Sequence, residues 1–283
     1  MKLSPRELKA RAAEAREHYA RCDLCAHYCR VDRTHGPAGV CREDDGLWLA
    51  GAGVHFGEEP QLVPSGMVLI GGCNLACEYC ETFEFSLQRR GLARTSDRQL
   101  AALLLDLQKK GSKNANFVTP THVLPALLEG LAIAAEHGFT LPVVWNCGGY
   151  ESIEALRLLD GVVDIYLPDA KYGDDAMAFE LSGCKGYTAA LRASLAEMRR
   201  QTSEVIVRHL VLPQTPADKV MALIADVSRD LCVNVLSQYR PVFHAARFPV
   251  IARGVSAEEV RAAAGAARAA GLRNVMVDGK IQH

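Results

Sequence analysis

Six short apolar runs in this chain alternate with helical patterns, and that alternation limits the fold more than any other feature. The runs are MVLI (67–70), ANFV (115–118), LPVVW (141–145), VDIYL (163–167), EVIVRHLVL (204–212) and VNVLS (233–237). Helical spacing of apolar residues follows or separates them near 96–110, 122–137, 151–159, 187–201, 217–230 and 256–270. An apolar run without polar alternation suits a strand covered on both faces. Helices between such strands call for parallel pairing through right-handed crossovers. Six βα units predict an α/β fold, a partial or complete parallel barrel, with its active site at the C-terminal strand ends. The barrel domain is drawn over 64–283, and residues 1–63 form an N-terminal helix with a small Cys-rich, metal-binding appendage.

The N-terminal part has a different character. Residues 5–20 read as a helix, but the stretch from Cys22 to Val63 has poor periodicity, with turn signals at Gly36, Gly39 and Gly46. Such a segment buries little apolar surface, so a bound metal is expected to organise it. With 49% hydrophobic and 23% charged residues, the chain as a whole has ordinary globular composition. A net charge of -1 gives no field for nucleic acid or an anionic membrane, and neither is expected as a partner. There is no apolar run of about 18 residues for a spanning helix, and the charged N-terminus has no signal-peptide core. A cytoplasmic location is expected.

Ten cysteines are many for a reducing compartment, and seven lie in two tight sets. Short spacings there point to metal ligation rather than disulfides. Cys22, Cys25, Cys29 and Cys41 can close a four-thiolate site, holding either zinc or an auxiliary iron–sulfur cluster, with His27 and His35 near enough to replace a cysteine. Cys73, Cys77 and Cys80 follow the first barrel strand on one loop. Three thiolates can hold three irons of a [4Fe–4S] cubane and leave the fourth open to a ligand. The competing reading is a structural zinc site lacking its fourth ligand. Cys147, Cys184 and Cys232 are scattered and read as small buried residues.

The Cys-x3-Cys-x2-Cys spacing, with Tyr79 before the last cysteine and a β run before the first, resembles the radical S-adenosylmethionine (SAM) superfamily. The wider chain, over roughly 20–280, resembles its pyruvate formate-lyase activating enzyme-like branch. That likeness lies in NFVTPTH (116–122), WNCGGYES (145–152), DIYLPDAKY (164–172), VRHLVLP (207–213) and SQYRP (237–241). The resemblance implies an oxidoreductase in which SAM chelates the open iron. One electron, from a donor such as flavodoxin or ferredoxin, then breaks its C5′–S bond. The resulting 5′-deoxyadenosyl radical takes hydrogen from a protein or peptide substrate. The same chemistry on a small molecule or modified peptide is the alternative, and a non-catalytic iron–sulfur electron carrier or sensor is the rival from another class.

The expected SAM pocket draws on the strand ends. Asp169 and Lys171, two apart on one face, offer an acid for ribose hydroxyls and a cation for the methionyl carboxylate, against the plainer reading of an exposed ion pair. Arg208 and His209 point to opposite faces, with Arg208 favoured for the carboxylate and His209 balanced against a satisfied core histidine. Tyr79, Asn146 and Gln238 complete the cofactor set, with Tyr239 beside Gln238 as a second candidate for the adenine. The Gly-Gly-Glu that often sits at the second strand in the superfamily is absent, so Thr119 and Thr121 are expected to replace its acceptor, although Thr121 also reads as a helix N-cap. Glu58 and Glu59 precede the barrel and read as a solvated charge pair, with gating of its mouth as the alternative.

Overall fold

The computed structural model describes residues 2–57 and 59–282, so Glu58 lies outside the described residues. Helix α1 (Pro5–Glu17) starts at a capping box. The Ser4 hydroxyl accepts the Glu7 N–H at 3.3 Å, and the Glu7 carboxylate accepts the Ser4 N–H at 2.8 Å. Strands β1 (Leu47–His55) and β2 (Ser65–Ile70) follow, then a short helix α2 (Phe83–Ser86) and strand β3 (Ala93–Thr95). Next come α3 (Asp97–Lys109), β4 (Ala115–Val118), α4 (Leu124–Glu136), β5 (Val143–Cys147), α5 (Ile153–Leu158) and β6 (Ile165–Pro168). The last part holds α6 (Asp175–Ser182), α7 (Tyr187–Gln201), β7 (Ile206–Leu210), α8 (Asp218–Val227), β8 (Cys232–Leu236), α9 (Ala257–Ala269), β9 (Asn274–Val277) and β10 (Lys280–Ile281).

These strands make an α/β fold of two sheets. A six-stranded mixed sheet has the order β3-β1-β2-β4-β5-β6, and a four-stranded sheet has the order β10-β9-β8-β7. All six apolar runs are strands, and β2, β4, β5 and β6 pair in parallel, as do β7, β8 and β9. Isolated parallel bridges, Tyr166 to Val205 and Asp169 to Arg208, join β6 to β7 where the sheets meet. Among the described residues neither sheet closes on itself, so the expectation of a complete barrel is not met. The order ends at antiparallel strands on both sides.

A second correction concerns the N-terminal part. Strand β1 pairs antiparallel along the whole of β2, from Leu49 opposite Ile70 to His55 opposite Ser65. The Cys-rich segment is therefore sewn into the main sheet and is not seen as an appendage. Its strand reads poorly in the sequence because LWLAGAGVH breaks the alternation with two glycines, at the register shift between Leu49 and Gly51. The helix start at Thr121 is also revised. Residues Thr121–Val123 form a 3-10 turn without a side-chain cap, and α4 begins after it with Pro125 in its first turn.

Helix α4 is buried around most of its circumference because α1 packs on one side and α3 on the other. Gly130 is where α3 comes closest: a Cβ there would lie 2.5 Å from Leu100 Cδ2 and 3.1 Å from its Cβ. No helix among the described residues is long and apolar enough to cross a membrane. Replacing Gly130 with Val should overpack this contact and cost about 1–3 kcal/mol. Urea unfolding tests this: the midpoint should fall with the slope unchanged, and an unchanged midpoint would refute the close approach.

Candidate active site

The loop after β2 carries Cys73, Cys77 and Cys80, and helix α6 holds it in place. The α6 carbonyls of Leu181 and Ser182 accept the N–H groups of Glu78 and Ala76 at 2.9 and 3.3 Å. This fills acceptors that a helix C-terminus otherwise leaves open. Gly72 enters the loop at φ +81°, and a Cβ there would sit 2.9 Å from the His122 Nε2. Each sulfur meets a polar group. Cys73 Sγ accepts the Leu75 N–H at 3.3 Å, Cys77 Sγ accepts the Ser182 hydroxyl at 2.9 Å, and Cys80 Sγ lies 3.4 Å from Thr82 Oγ1. Burial pushes the Cys73 and Cys77 thiols up. Among the described residues no group of three or more His, Cys, Asp or Glu side chains is set to hold a metal ion as it stands.

Beside this loop lies a charged set at the strand ends. Asp169, just beyond β6, accepts from Lys171 Nζ at 2.8 Å and from Arg208 Nε at 2.9 Å. Arg208 also donates to Asn146 Oδ1 at 2.7 Å, so strands β5, β6 and β7 are tied together. The Asp169 side chain is 23% exposed and that of Lys171 is 14% exposed, so this is no exposed strand-end pair. Burial raises the Asp169 pKa, but the Arg208 and Lys171 cations outweigh it and the net shift is downward. Burial likewise opposes the Lys171 charge, and Asp169 and Cys77 outweigh it to raise that pKa.

The remaining predicted residues divide. Tyr79 is buried, its hydroxyl 2.8 Å from that of Tyr172, which in turn lies 2.6 Å from the Ser182 hydroxyl on Cys77. Thr119, at φ +55°, lies beside the loop, 3.4 Å from the Gly72 carbonyl. Thr121 is fully buried and donates to Glu151 at 2.7 Å. Gln238 lines a cavity of about 420 Å³ with Glu81, Thr82, Arg240 and Val242, beside Cys80. Tyr239 is turned away, its hydroxyl on the Ile251 carbonyl at 2.6 Å. His209 is buried with Nδ1 2.8 Å from the Ala170 carbonyl, so its place is in the core. Glu59 overturns the reading of a solvated charge: it is 2% exposed and accepts from Asn234 at 3.0 Å. Cys147 and Cys184 are buried, and Cys232 is partly so.

The four N-terminal cysteines line one small cavity with His27, Arg33 and His122. His35 is 84% exposed at its side chain and pairs with Asp32, so it takes no part. Sequence reasoning missed Arg33, His122, Glu151 and Ser182. Each lies far along the chain from the cysteine or threonine it serves, or bonds through backbone, and leaves no local spacing to read.

No family model matches the chain. It is 31% identical over 272 residues to the uncharacterized protein MJ0674 of Methanocaldococcus jannaschii, an alignment covering 92% of this chain and 78% of that one.

Replacing Asp169 with Asn should strand the Lys171 and Arg208 cations and lower stability at neutral pH by about 1–3 kcal/mol. The depressed carboxyl pKa means that the wild type holds this stability above the ordinary aspartate value of 3.8 and loses it as pH falls through the lower folded value. Urea midpoints across that range should converge for wild type and variant at acid pH; a constant gap would refute the assignment.

Proposed function

The chain belongs to the same family as MJ0674, and we propose that it is a radical SAM enzyme with a [4Fe–4S] cluster on Cys73, Cys77 and Cys80. The observation that carries this reading is a juxtaposition: three thiols on the loop leaving β2, and Asn146, Asp169 and Arg208 in one bonded set where β5, β6 and β7 end. On this reading β2, β4, β5, β6, β7, β8 and β9 are the parallel strands of a partial barrel, one more than the six apolar runs predict, continued across the Asp169–Arg208 bridge. Ligand sites of such folds lie at the C-terminal strand ends.

The donor set suits the cluster. Thiolates are its usual protein ligands, and hydrogen bonds from the Leu75 N–H and the Ser182 hydroxyl favour the thiolate form of Cys73 and Cys77. When bound, the cluster would supply one-electron reductive cleavage of SAM, for hydrogen abstraction from a protein or peptide substrate. The chain's own residues bind and orient. Lys171 and Arg208 provide cations for the methionyl carboxylate, with Asp169 fixing both and offering an oxygen to ribose hydroxyls. The Thr119 hydroxyl, 3.4 Å from the Gly72 carbonyl, borders the loop where the amino group is expected. Tyr79, Tyr172 and Ser182 form a buried hydroxyl chain behind Cys77 that keeps water from that side. A flavodoxin or ferredoxin is the matching electron donor.

Anaerobically reconstituted protein with a strong reductant should convert SAM into 5′-deoxyadenosine and methionine, read by chromatography. Cys77→Ala should abolish this, and wild-type turnover in that variant would sink the assignment. Lys171→Ala should keep the cluster absorbance and weaken SAM binding about tenfold or more.

A further inference from the structure

The N-terminal cavity carries a second site that the proposed reaction does not use. Cys22, Cys25, Cys29 and Cys41 come from a looped segment and all line it. The segment folds back on itself, with the Cys22 N–H on the Val31 carbonyl at 2.8 Å and the Arg30 N–H on the Cys22 carbonyl at 2.8 Å. The cavity is about 10 Å³, barely enough for one water-sized sphere. Its four cysteine side chains match the ligand count of a closed single-ion site.

Two buried groups indicate the charge of the occupant. Arg33 is 1% exposed, yet its guanidinium donates to the backbone carbonyls of Glu43, His122 and Asp44 at 3.0, 2.8 and 2.6 Å, and lies 3.7 Å from Cys22 Sγ. Among the described residues no carboxylate bonds to it, because the Glu43 side chain is taken by Arg89. A buried cation calls for negative charge nearby: the buried Glu43 carboxylate acts on it through space, and Cys22 Sγ lies against it directly. His122 is 2% exposed and lines the same cavity. Its Nε2 lies 2.9 Å from the Gly71 carbonyl and must therefore carry the hydrogen, which leaves Nδ1 a bare lone pair with no partner. Four sulfurs and a lone pair around one small space suit a cation. A four-thiolate centre on a divalent ion carries net negative charge, which suits the Arg33 guanidinium against Cys22.

We propose that Cys22, Cys25, Cys29 and Cys41 bind one zinc ion as a closed four-thiolate site, with Arg33 as its buried counter-cation. Zinc prefers four sulfur ligands in a closed structural site. The thiols turn inward by side-chain rotation and release their protons on binding. The centre is tied to the cluster loop at two points: His27 Nε2 donates to the Asn74 carbonyl at 2.8 Å, and His122 Nε2 donates to that of Gly71. Its role is to position that loop.

Metal analysis of the purified full chain tests this. About one zinc per chain is expected, and also in a variant with Cys73, Cys77 and Cys80 all changed to Ala, which separates this site from the proposed cluster. Cobalt(II) loaded in place of zinc should give the intense thiolate charge-transfer band of a four-sulfur tetrahedral site. Cys41→Ser should lose the zinc. Arg33→Met should weaken zinc binding about 10- to 100-fold, measured by chelator competition on folded protein, with Arg33→Lys partly restoring it. Iron at twice the content of one cubane cluster without zinc, zinc retained in Cys41→Ser, or absence of metal after zinc loading would each overturn the proposal. Unchanged affinity in Arg33→Met would overturn the counter-cation.

Discussion

The Asp169 carboxylate joins the two sheets. Strands β6 and β7 share only isolated bridges, and at one of them Asp169 meets Arg208 through both backbone and side chain. The Ala170 N–H adds a bond to the Arg208 carbonyl at 2.8 Å. A parallel seam this short has few ladder bonds, so the partly buried ion pair carries much of its registry. Desolvation makes such a pair costly to bury, and removing one partner leaves an uncompensated charge in a low-dielectric place, so the pair is costly to break. Lys171 is fixed by the same carboxylate, which orders three strand ends and the groups above them through one anion.

This explains which parts were legible from the sequence. Fully buried strands such as Ala115–Val118 and Val143–Cys147 announce themselves as apolar runs, and Asp169 and Lys171 stand out as charges directly after one. Their two-residue spacing places them on one face, as seen. Tyr239 and His209 were ambiguous because a polar aromatic at a strand end looks the same whether it faces a ligand or the core. Only the Ile251 and Ala170 carbonyls decide the matter. Strand β1 and helix α6 were illegible for different reasons. Glycines break the alternation in the first. The second is short, and it is kept by packing and by the N–H groups of the cysteine loop.

The glutamates show the same limit. Glu59 and Glu151 are ordinary charges in the sequence, and tertiary structure buries both. Glu59 sits against Asn234 at the heart of the four-stranded sheet. Glu151 holds Thr121, and burial pushes its carboxyl up to about 7. The residue chosen as an acceptor for cofactor thus serves an interior acid, and the Thr119 hydroxyl is left beside the cysteine loop, at the Gly72 carbonyl.

The N-terminal segment and the cysteine loop form one mechanical unit. Asn74, which follows the first loop cysteine, donates to the Tyr150 carbonyl at 3.1 Å and receives His27 on its own carbonyl. The Ala26 N–H meets that same Tyr150 carbonyl at 3.3 Å, so both segments hang from one residue after β5. Each such buried bond contributes about 0.5–1.5 kcal/mol, and loss of one partner leaves the other unsatisfied. The loop is anchored by His27 of this segment at one point and by His122 of the 3-10 turn after β4 at another, so reordering of the segment is felt by the loop. Whatever orders Cys22 to Cys41 therefore also lowers the entropy lost when Cys73, Cys77 and Cys80 take up a ligand. By linkage, a ligand on the loop stabilises the N-terminal segment by the same amount.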